Sequence, residues 1–203
     1  MSGGAAGRIR PKIANQSDRY SSPWSLRERV GMLAWLVVET VLCRPMPKHM
    51  VRWRLFWLRV FGARITGTPF VHPKARIKIP WQLTLEDRVA IAPGVEVYNL
   101  GHVTLRERCI VSQHAYLCGG THELSDPKLP LLVGDIEIGR EAFIGARAMI
   151  LPGVTVGEGA VLGAGGVAAK DLEQWTIYVG NPARAIKKRR MGEGESGHSP
   201  VES

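Results

Sequence analysis

Aliphatic residues recur at every sixth position along the second half of the chain. In each hexad a small residue or valine follows the aliphatic residue by four positions, and glycine follows it directly in four of five hexads. A six-residue period fits neither the 3.6-residue turn of a helix nor the alternation of a hairpin strand. It is typical of a parallel β-helix, in which each coil stacks its aliphatic residues on the coil below. The aliphatic positions are Ile138, Ile144, Ile150, Val156 and Leu162.

The repeat continues towards the N-terminus and predicts a triangular prism. Three hexads form one coil, and the sequence accommodates about five coils. The spacing stretches between Ile77 and Leu85, between Val97 and Leu105, and between Leu117 and Ile138. Counted in threes, all of these insertions leave from one corner of the prism, which we call the decorated corner. The longest insertion predicts a loop over residues 118–137, a candidate site because functional residues concentrate on loops.

The pattern divides the chain into four parts. Residues 1–22 are polar and without periodicity, which predicts a disordered N-terminus. Residues 23–62 contain an apolar stretch followed by a Trp- and Arg-rich one, which predicts an amphipathic helical segment. The β-helix is expected over residues 63–182, and a short basic helix with a disordered tail over residues 183–203. The fold class is therefore all-β, a parallel β-helix preceded by helices.

Two roles are open for the helices of residues 24–62. They could cap the N-terminal end of the prism, whose unpaired strand edge would otherwise invite aggregation. Alternatively, their aromatic rings and arginines suit a lipid headgroup layer and predict peripheral contact with the inner face of a membrane. The apolar run from Val30 to Cys43 is too short to span a bilayer. The two roles are compatible with each other.

Charge and cysteine content narrow the function classes. The 203 residues carry 27 basic and 18 acidic side chains, a net charge of +9. No zinc finger, helix-turn-helix or RNA-binding signature accompanies this charge, so nucleic acid is not an expected partner. The charge suits a phosphate-bearing cofactor or an anionic membrane equally well. The three cysteines form no CxxC pair and the first residues contain no apolar signal region, which favours a cytoplasmic protein.

Four motifs carry a resemblance to a known family. They are the hexads, the loop LCGGTHELSDP, the strand and turn VLGAGGVAAKDL, and the ending WTIYVGNPARAIKK. Over residues 50–190 the chain resembles the hexapeptide-repeat acyltransferases, most closely the colanic-acid-type sugar O-acetyltransferases. The resemblance implies a left-handed β-helix and a homotrimer with active sites between subunits. It also implies acetyl-CoA as co-substrate and a sugar or glycan precursor as acceptor, in exopolysaccharide biosynthesis.

The resemblance also implies a catalytic base. Acetyl transfer to an alcohol needs a group that takes the hydroxyl proton as the oxygen attacks, and a neutral imidazole can do this. Of the six histidines, His122 lies on the long loop, and in the family the matching histidine is the general base. The group that orients its second ring nitrogen stays open between Glu123, Asp126 and a backbone carbonyl.

The cofactor contacts follow from family position. The expected cofactor-binding residues are Gly145, Ala146, Gly163, Ala164, Ala169, Lys170, Arg184 and Lys187. The first pair forms a turn whose backbone N–H would stabilise the tetrahedral oxyanion. The second pair would let the pantetheine arm approach closely, and the three basic residues would meet the nucleotide phosphates. Ala169 departs from the family, which often has Thr or Ser at this position.

Three alternatives remain open. The γ-type carbonic anhydrases share the prism but bind zinc through three histidines. Here His102 and His122 lie at the decorated corner and His114 at another turn, so a metal is not expected. A non-catalytic scaffold would keep the prism without using the loop histidine. Finally, the acceptor could be a small non-sugar molecule, either a xenobiotic or an amino acid.

Overall fold

Three parallel sheets form the faces of a prism, and the chain visits them in a fixed order. A computed structural model describes residues 9–13, 18, 21–47 and 49–190. Face 1 consists of β2 (Arg64–Ile65), β5 (Leu83–Leu85), β8 (Val103–Leu105), β13 (Ile136–Ile138) and β16 (Thr155–Val156). Face 2 consists of β3 (Phe70–Val71), β6 (Ala90–Ile91), β9 (Ile110–Val111), β14 (Phe143–Ile144), β17 (Val161–Leu162) and β19 (Thr176–Val179). Face 3 consists of β4 (Arg76–Ile77), β7 (Glu96–Tyr98), β10 (Tyr116–Cys118), β15 (Met149–Ile150) and β18 (Val167–Ala168).

The hexad pattern correctly predicts which side chains fill the prism. On face 1, Leu85, Leu105 and Ile138 stand in register on successive strands and are completely buried. Burying one such side chain stabilises the fold by about 1.5–3 kcal/mol, so the column of aliphatic residues holds the coils together. The structure has slightly more than the five coils expected, because β19 adds a sixth parallel strand to face 2.

All three insertions leave from the corner between face 3 and face 1, as the sequence predicts. The first contains a single 3₁₀ turn, Pro80–Gln82, and the second is a short loop over residues 99–102. The third is not an irregular loop. It contains an antiparallel hairpin of β11 (Gly120–His122) and β12 (Leu131–Gly134), so the longest insertion has a backbone of defined geometry.

A strand near the N-terminus extends this hairpin. Strand β1 (Ile9–Pro11) pairs antiparallel with β12, and the Arg10 guanidinium contacts the Asp135 carboxylate at 3.0 Å. The prediction of disorder is therefore wrong for this stretch, and the rest of residues 1–22 lies mostly outside the described residues. The cause is that β1 finds its partner more than a hundred residues away, which local composition does not reveal.

The C-terminal helix expected after residue 183 is a strand instead. Strand β20 (Arg184–Lys188) folds back on β19 and pairs with it antiparallel. Gly180, at φ +91°, makes the reversal between the two strands possible, because L side chains rarely adopt that conformation. The last parallel strand would otherwise present an open edge, and β20 covers it. The expected tail beyond residue 190 lies outside the described residues.

Two helices close the opposite end of the prism. Helix α1 (Leu26–Val38) continues into one π-helical turn, Glu39–Cys43, and α2 (Val51–Val60) follows. The indole N–H of Trp35 donates to the backbone carbonyl of Ile77 at 2.7 Å, and the Glu39 carboxylate accepts from the N–H of the same residue at 3.2 Å. These bonds satisfy the outer edge of β4. Within the described residues, neither helix combines the length and apolar composition that crossing a bilayer requires.

Arg54 is the centre of this cap. Its guanidinium is 2% exposed, donates to the carbonyls of Pro73 and Ala75 at 2.7 Å each, and pairs with Glu39 at 3.1 Å. Burial raises the pKa of Glu39 even though Arg54 opposes that shift. The ion pair is therefore costly to desolvate, and its main benefit is that it satisfies backbone groups of the first coil. The capping role of the helices is supported by these contacts.

Candidate active site

His122 ends the first strand of the hairpin at the decorated corner. It stands opposite Leu131 of β12, and its ring Nδ1 lies 2.8 Å from the backbone oxygen of Leu129. Because a carbonyl can only accept, Nδ1 carries the proton of the neutral imidazole and Nε2 keeps its lone pair. The side chain is exposed, so Nε2 is accessible to a substrate hydroxyl. This is the arrangement of a general base oriented by the backbone.

An uncommon backbone conformation holds that carbonyl in place. Leu129 has φ +46°, in the left-handed region that a leucine seldom occupies. Its N–H donates to the carbonyl of Asp126 at 2.8 Å, which closes a tight turn at the tip of the hairpin. Strained residues of this kind persist where the surrounding structure fixes them, and they cluster at functional sites.

The carboxylates of the loop shape the turn and do not contact the histidine. Glu123 accepts from the hydroxyl and the N–H of Ser125 at 2.6 and 3.1 Å, and these bonds lower the pKa of Glu123. Asp126 accepts from the N–H of Lys128 at 2.8 Å. Of the three candidates that the sequence leaves open for orienting His122, the structure therefore selects a backbone carbonyl.

The Gly145–Ala146 turn lies at the corner between face 2 and face 3, away from His122. A Cβ on Gly145 would lie 2.5 Å from the backbone nitrogen of Ala164 in the next coil. A Cβ on Gly163 would lie 2.9 Å from Val179 Cγ1. Stacking of the coils therefore requires Gly145, whose neighbours are backbone atoms, whatever binds outside the prism, whereas at Gly163 the exposed Val179 side chain would have to move.

The backbone N–H of Ala146 is free to donate. Within the described residues it has no acceptor, whereas its carbonyl accepts from the N–H of Gly165 at 2.9 Å. The corresponding turns of the first two coils have Pro73 and Pro93 at this position, and proline has no N–H. A free donor beside a glycine is suited to stabilising an oxyanion, as the family position implies.

Three expected cofactor residues line one cleft. Ala169, Lys170 and Arg184 border a cavity of about 310 Å³ between the last coil and β20. The Arg184 guanidinium donates to the carbonyl of Ala183 at 3.2 Å, and in the described part of the chain neither cation pairs with a carboxylate. Two unpaired cations beside small residues suit the oxygens of a phosphate.

Lys187 is not part of that cleft. It lies on β20, opposite Ile177 of β19, and borders a neighbouring cavity of about 480 Å³. Three more basic residues line this second cavity: Lys188, Arg189 and Arg190. The two cavities together make the C-terminal end of the prism strongly basic.

His102 and His114 each have contacts other than His122. His102 Nε2 lies 2.9 Å from the Thr84 hydroxyl, and burial lowers the pKa of His102. His114 lies at the corner between face 2 and face 3, where its ring packs against Gly94. Among the described residues, no three His, Cys, Asp or Glu side chains are grouped as metal ligands would be.

A larger groove, which the sequence does not predict, runs between α1 and face 3. Its volume is about 570 Å³. Its lining combines apolar side chains of α1 with charged and aromatic side chains of β4 and β7. Pattern analysis misses it because the two walls come from segments about fifty residues apart, each of which has an ordinary composition. In the sequence, the feature that could have indicated this groove is Tyr98, an aromatic residue directly before the second insertion.

Comparison with known proteins supports the resemblance. A family model described as "Bacterial transferase hexapeptide (six repeats)" matches residues 135–167. The putative colanic acid biosynthesis acetyltransferase WcaF of Escherichia coli K12 is 34% identical over 172 residues, which cover 84% of this chain and 94% of that protein. A chloramphenicol acetyltransferase of Escherichia coli is 52% identical, but over 56 residues, which cover 28% of this chain and 27% of that protein.

A solved structure shows the same fold. The hexapeptide-repeat acetyltransferase VCA0836 of Vibrio cholerae O1 biovar eltor, complexed with acetyl coenzyme A, has a TM-score of 0.76 at 16% identity. The match covers 85% of this chain and 94% of that one. The prediction of a left-handed parallel β-helix is therefore confirmed. Together with the extent and identity of the match to WcaF, it shows that the chain belongs to the hexapeptide-repeat acyltransferases.

Proposed function

We propose that this protein transfers an acetyl group from acetyl-CoA to a sugar hydroxyl of an exopolysaccharide or another glycan precursor. The observation that carries the proposal is His122, whose Nδ1 donates to the Leu129 carbonyl and whose Nε2 has no partner among the described residues. The name of WcaF refers to colanic acid biosynthesis, and the Vibrio structure is described as a complex with acetyl-CoA. Both support this substrate pair.

The proposed reaction is direct attack without an acetyl-enzyme. His122 Nε2 takes the hydroxyl proton as the acceptor oxygen attacks the thioester carbonyl carbon. The N–H of Ala146 stabilises the oxygen that becomes negatively charged. When the tetrahedral species collapses, the C–S bond breaks and the CoA sulfur receives the proton from the imidazolium. Lys170 and Arg184 hold the nucleotide phosphates, with Lys187 as a further contact.

We infer that the working unit is a homotrimer. Within one chain His122 lies at the decorated corner and Ala146 at the next corner, with face 3 between them. At about 3.3 Å per residue, the width of that face keeps them roughly 10 Å or more apart. Base and oxyanion donor must both reach the same thioester, so a neighbouring chain has to supply one of them.

The two helices also support contact with a membrane surface. Helix α1 and the turn after it expose an apolar stripe, which consists of Val30, Leu33, Val37 and Val41. Helix α2 exposes Trp53, Phe56 and Val60 beside Arg52 and Arg59. Apolar and aromatic side chains flanked by arginines suit the headgroup layer, so we propose that these faces lie against an anionic membrane.

The decisive experiment is acetyl-CoA consumption against a panel of sugars, nucleotide sugars and lipid-linked sugars. We expect His122→Ala to lower kcat by about 10²–10⁴-fold, since it removes the base, and to leave the KM for acetyl-CoA unchanged. His49→Ala, a change of an exposed histidine outside the hairpin, is the matched control. Near-normal turnover of His122→Ala would remove this residue from the mechanism. Chloramphenicol and amino acids in the same panel test the non-sugar alternative.

A further inference from the structure

The groove between α1 and face 3 adjoins the strand that carries His122. Tyr98 and Leu100 form the end of the groove at the decorated corner. The N–H of Gly119 donates to the Tyr98 carbonyl at 2.8 Å, and a Cβ on Gly120 would lie 2.7 Å from Leu100 Cδ1. The wall of the groove therefore supports β11 two residues before the base. A molecule that fills the groove reaches the hairpin.

The groove has an excess of unpaired positive charge. Arg44, Arg76 and Lys78 line it, and none of them forms an ion pair within the described residues. Of the two carboxylates in its lining, Glu39 already contacts Arg54 and the backbone of β4, which leaves Glu96. Arg44 lies close enough to Glu39 to oppose the rise of its pKa, and Arg76 stands in register with Glu96. The cations of the lining still outnumber its carboxylates, which favours an anionic ligand. Guanidinium groups in particular match the geometry of phosphate oxygens.

The other wall of the groove is apolar. Met32, Leu33 and Leu36 of α1 line it, and the side chains of Leu33 and Leu36 are more than half exposed. Leu33 also belongs to the apolar stripe of α1, so the groove opens onto that stripe. Tyr98 adds an aromatic face of the kind that packs against the apolar face of a sugar ring, and Trp24 adds a second ring, one face of which the Lys12 ammonium covers at 4.3 Å.

We propose that this groove binds the acceptor, and that the acceptor is a glycosyl phosphate, a sugar joined through phosphate or diphosphate to a second group. The sugar packs at Tyr98 and Leu100 beside β11, the phosphate contacts Arg76 and Lys78, and the second group lies along α1. The assignment rests on the proposed acetyl transfer, since it names the acceptor of that reaction. The phosphate is the shared chemistry of lipid-linked sugars and nucleotide sugars.

The test compares acceptors that share one sugar and differ only in the group joined to its anomeric oxygen. Each hexose of a panel is offered as the free sugar, the 1-phosphate, the nucleoside diphosphate and the farnesyl diphosphate derivative. We expect kcat/KM to be about 10- to 100-fold higher for the phosphate-bearing forms, because charged hydrogen bonds contribute on that scale. The double variant Arg76→Gln/Lys78→Gln should lose this preference while the KM for acetyl-CoA stays unchanged. Arg64→Gln, an exposed strand arginine on face 1, is the matched control.

Direct binding distinguishes failure of this proposal from failure of the proposed reaction. Calorimetric titration of the 1-phosphates and diphosphates into wild type and double variant needs no turnover. Binding that the double variant loses, without acetylation, would support the groove and refute acetyl transfer to its ligand. Equal use of free and phosphorylated sugar, or equal or absent binding by both proteins, would overturn the proposal. A preference for the farnesyl form that Leu36→Glu abolishes identifies a lipid-linked acceptor, and a preference for the nucleotide form that Leu36→Glu leaves intact identifies a soluble one.

Discussion

A backbone carbonyl orients His122, and this choice has chemical consequences. The Leu129 oxygen fixes the tautomer that leaves Nε2 unprotonated, without adding a negative charge beside the ring. The carbonyl is in turn held by the turn that Asp126 and Leu129 close. The position of the His122 ring therefore depends on the backbone of the hairpin tip. Sequence alone predicts His122 as the base but leaves its partner open, because the φ of Leu129 is a property of the folded turn.

The cation at residue 170 allows a direct test of the proposed phosphate contact. We expect Lys170→Glu to raise the KM for acetyl-CoA about tenfold or more, since a carboxylate would repel the phosphate that the ammonium attracts. The KM for the acceptor should change little. Lys74→Glu reverses the charge of an exposed lysine at the first coil and serves as the control. An unchanged dependence on acetyl-CoA would move the phosphate site elsewhere, with Arg184 the next residue to test.

At the scale of elements, the sequence predicts a strand correctly when the hexad repeat determines which strand it pairs with. Columns such as Leu85, Leu105 and Ile138 follow from the hexad alone, because every coil pairs with the next in register. Strands β1 and β20 and the two strands of the hairpin lie outside the repeat, and the pairings of β1, β20 and the hairpin strands are all antiparallel. These strands form because they pair with strand edges that are exposed only in the folded protein, and the hexad pattern contains no sign of such edges.

The eight residues expected at the cofactor site do not lie together in one chain. Four of them lie at the corner between face 2 and face 3, and the other four line two basic cavities.

The helical cap makes a prediction about stability. We expect Arg54→Met to lower the free energy of unfolding by about 3–5 kcal/mol, because Glu39 would stay buried without its partner. Adding Glu39→Leu removes that charge but leaves backbone groups of the first coil unpaired, so the double variant should recover only part of the loss. Arg52→Met, an exposed change on the same helix, is the control, and chemical denaturation measures all three. If the double variant regained the full free energy of unfolding, the hydrogen bonds from Arg54 and Glu39 to the backbone would contribute little, and the loss in Arg54→Met would come from the unpaired Glu39 charge alone.

The exposed helix faces make a separate prediction about membranes. We expect full-length protein to co-sediment with anionic vesicles in a salt-sensitive manner, since each basic residue near such a surface contributes about 1 kcal/mol. Val37→Ser/Val41→Ser/Phe56→Ser should weaken this binding while the protein stays folded, because all three side chains are more than half exposed. Ile110→Ser on face 2 is the control. Deleting residues 1–48 would not distinguish membrane contact from capping of the prism, because the deletion also removes Trp35 and Glu39, which bond to the first coil. Wild type that ignores vesicles at low salt would contradict the membrane proposal.

For the whole molecule, the main question is whether one chain can complete an active site. His122 and Ala146 lie at different corners of the prism, so we expect a symmetric trimer in which each site takes the base from one chain and the N–H donor from its neighbour. His122 is exposed and Ala146 is half-buried, so both residues can be substituted without disturbing the core.

Mixed trimers test this arrangement directly. His122→Ala removes the base, and Ala146→Trp blocks the oxyanion turn, so each variant alone should be inactive. When the two are unfolded together at equal amounts and refolded, random assortment in a symmetric trimer places an intact His122 beside an intact Ala146 at about a quarter of the interfaces. Activity should therefore return to about a quarter of the wild-type level per site. Each variant refolded alone is the control, and light scattering confirms the trimer. If the mixture stays as inactive as its components, the site belongs to a single chain, and the trimer has no part in completing it.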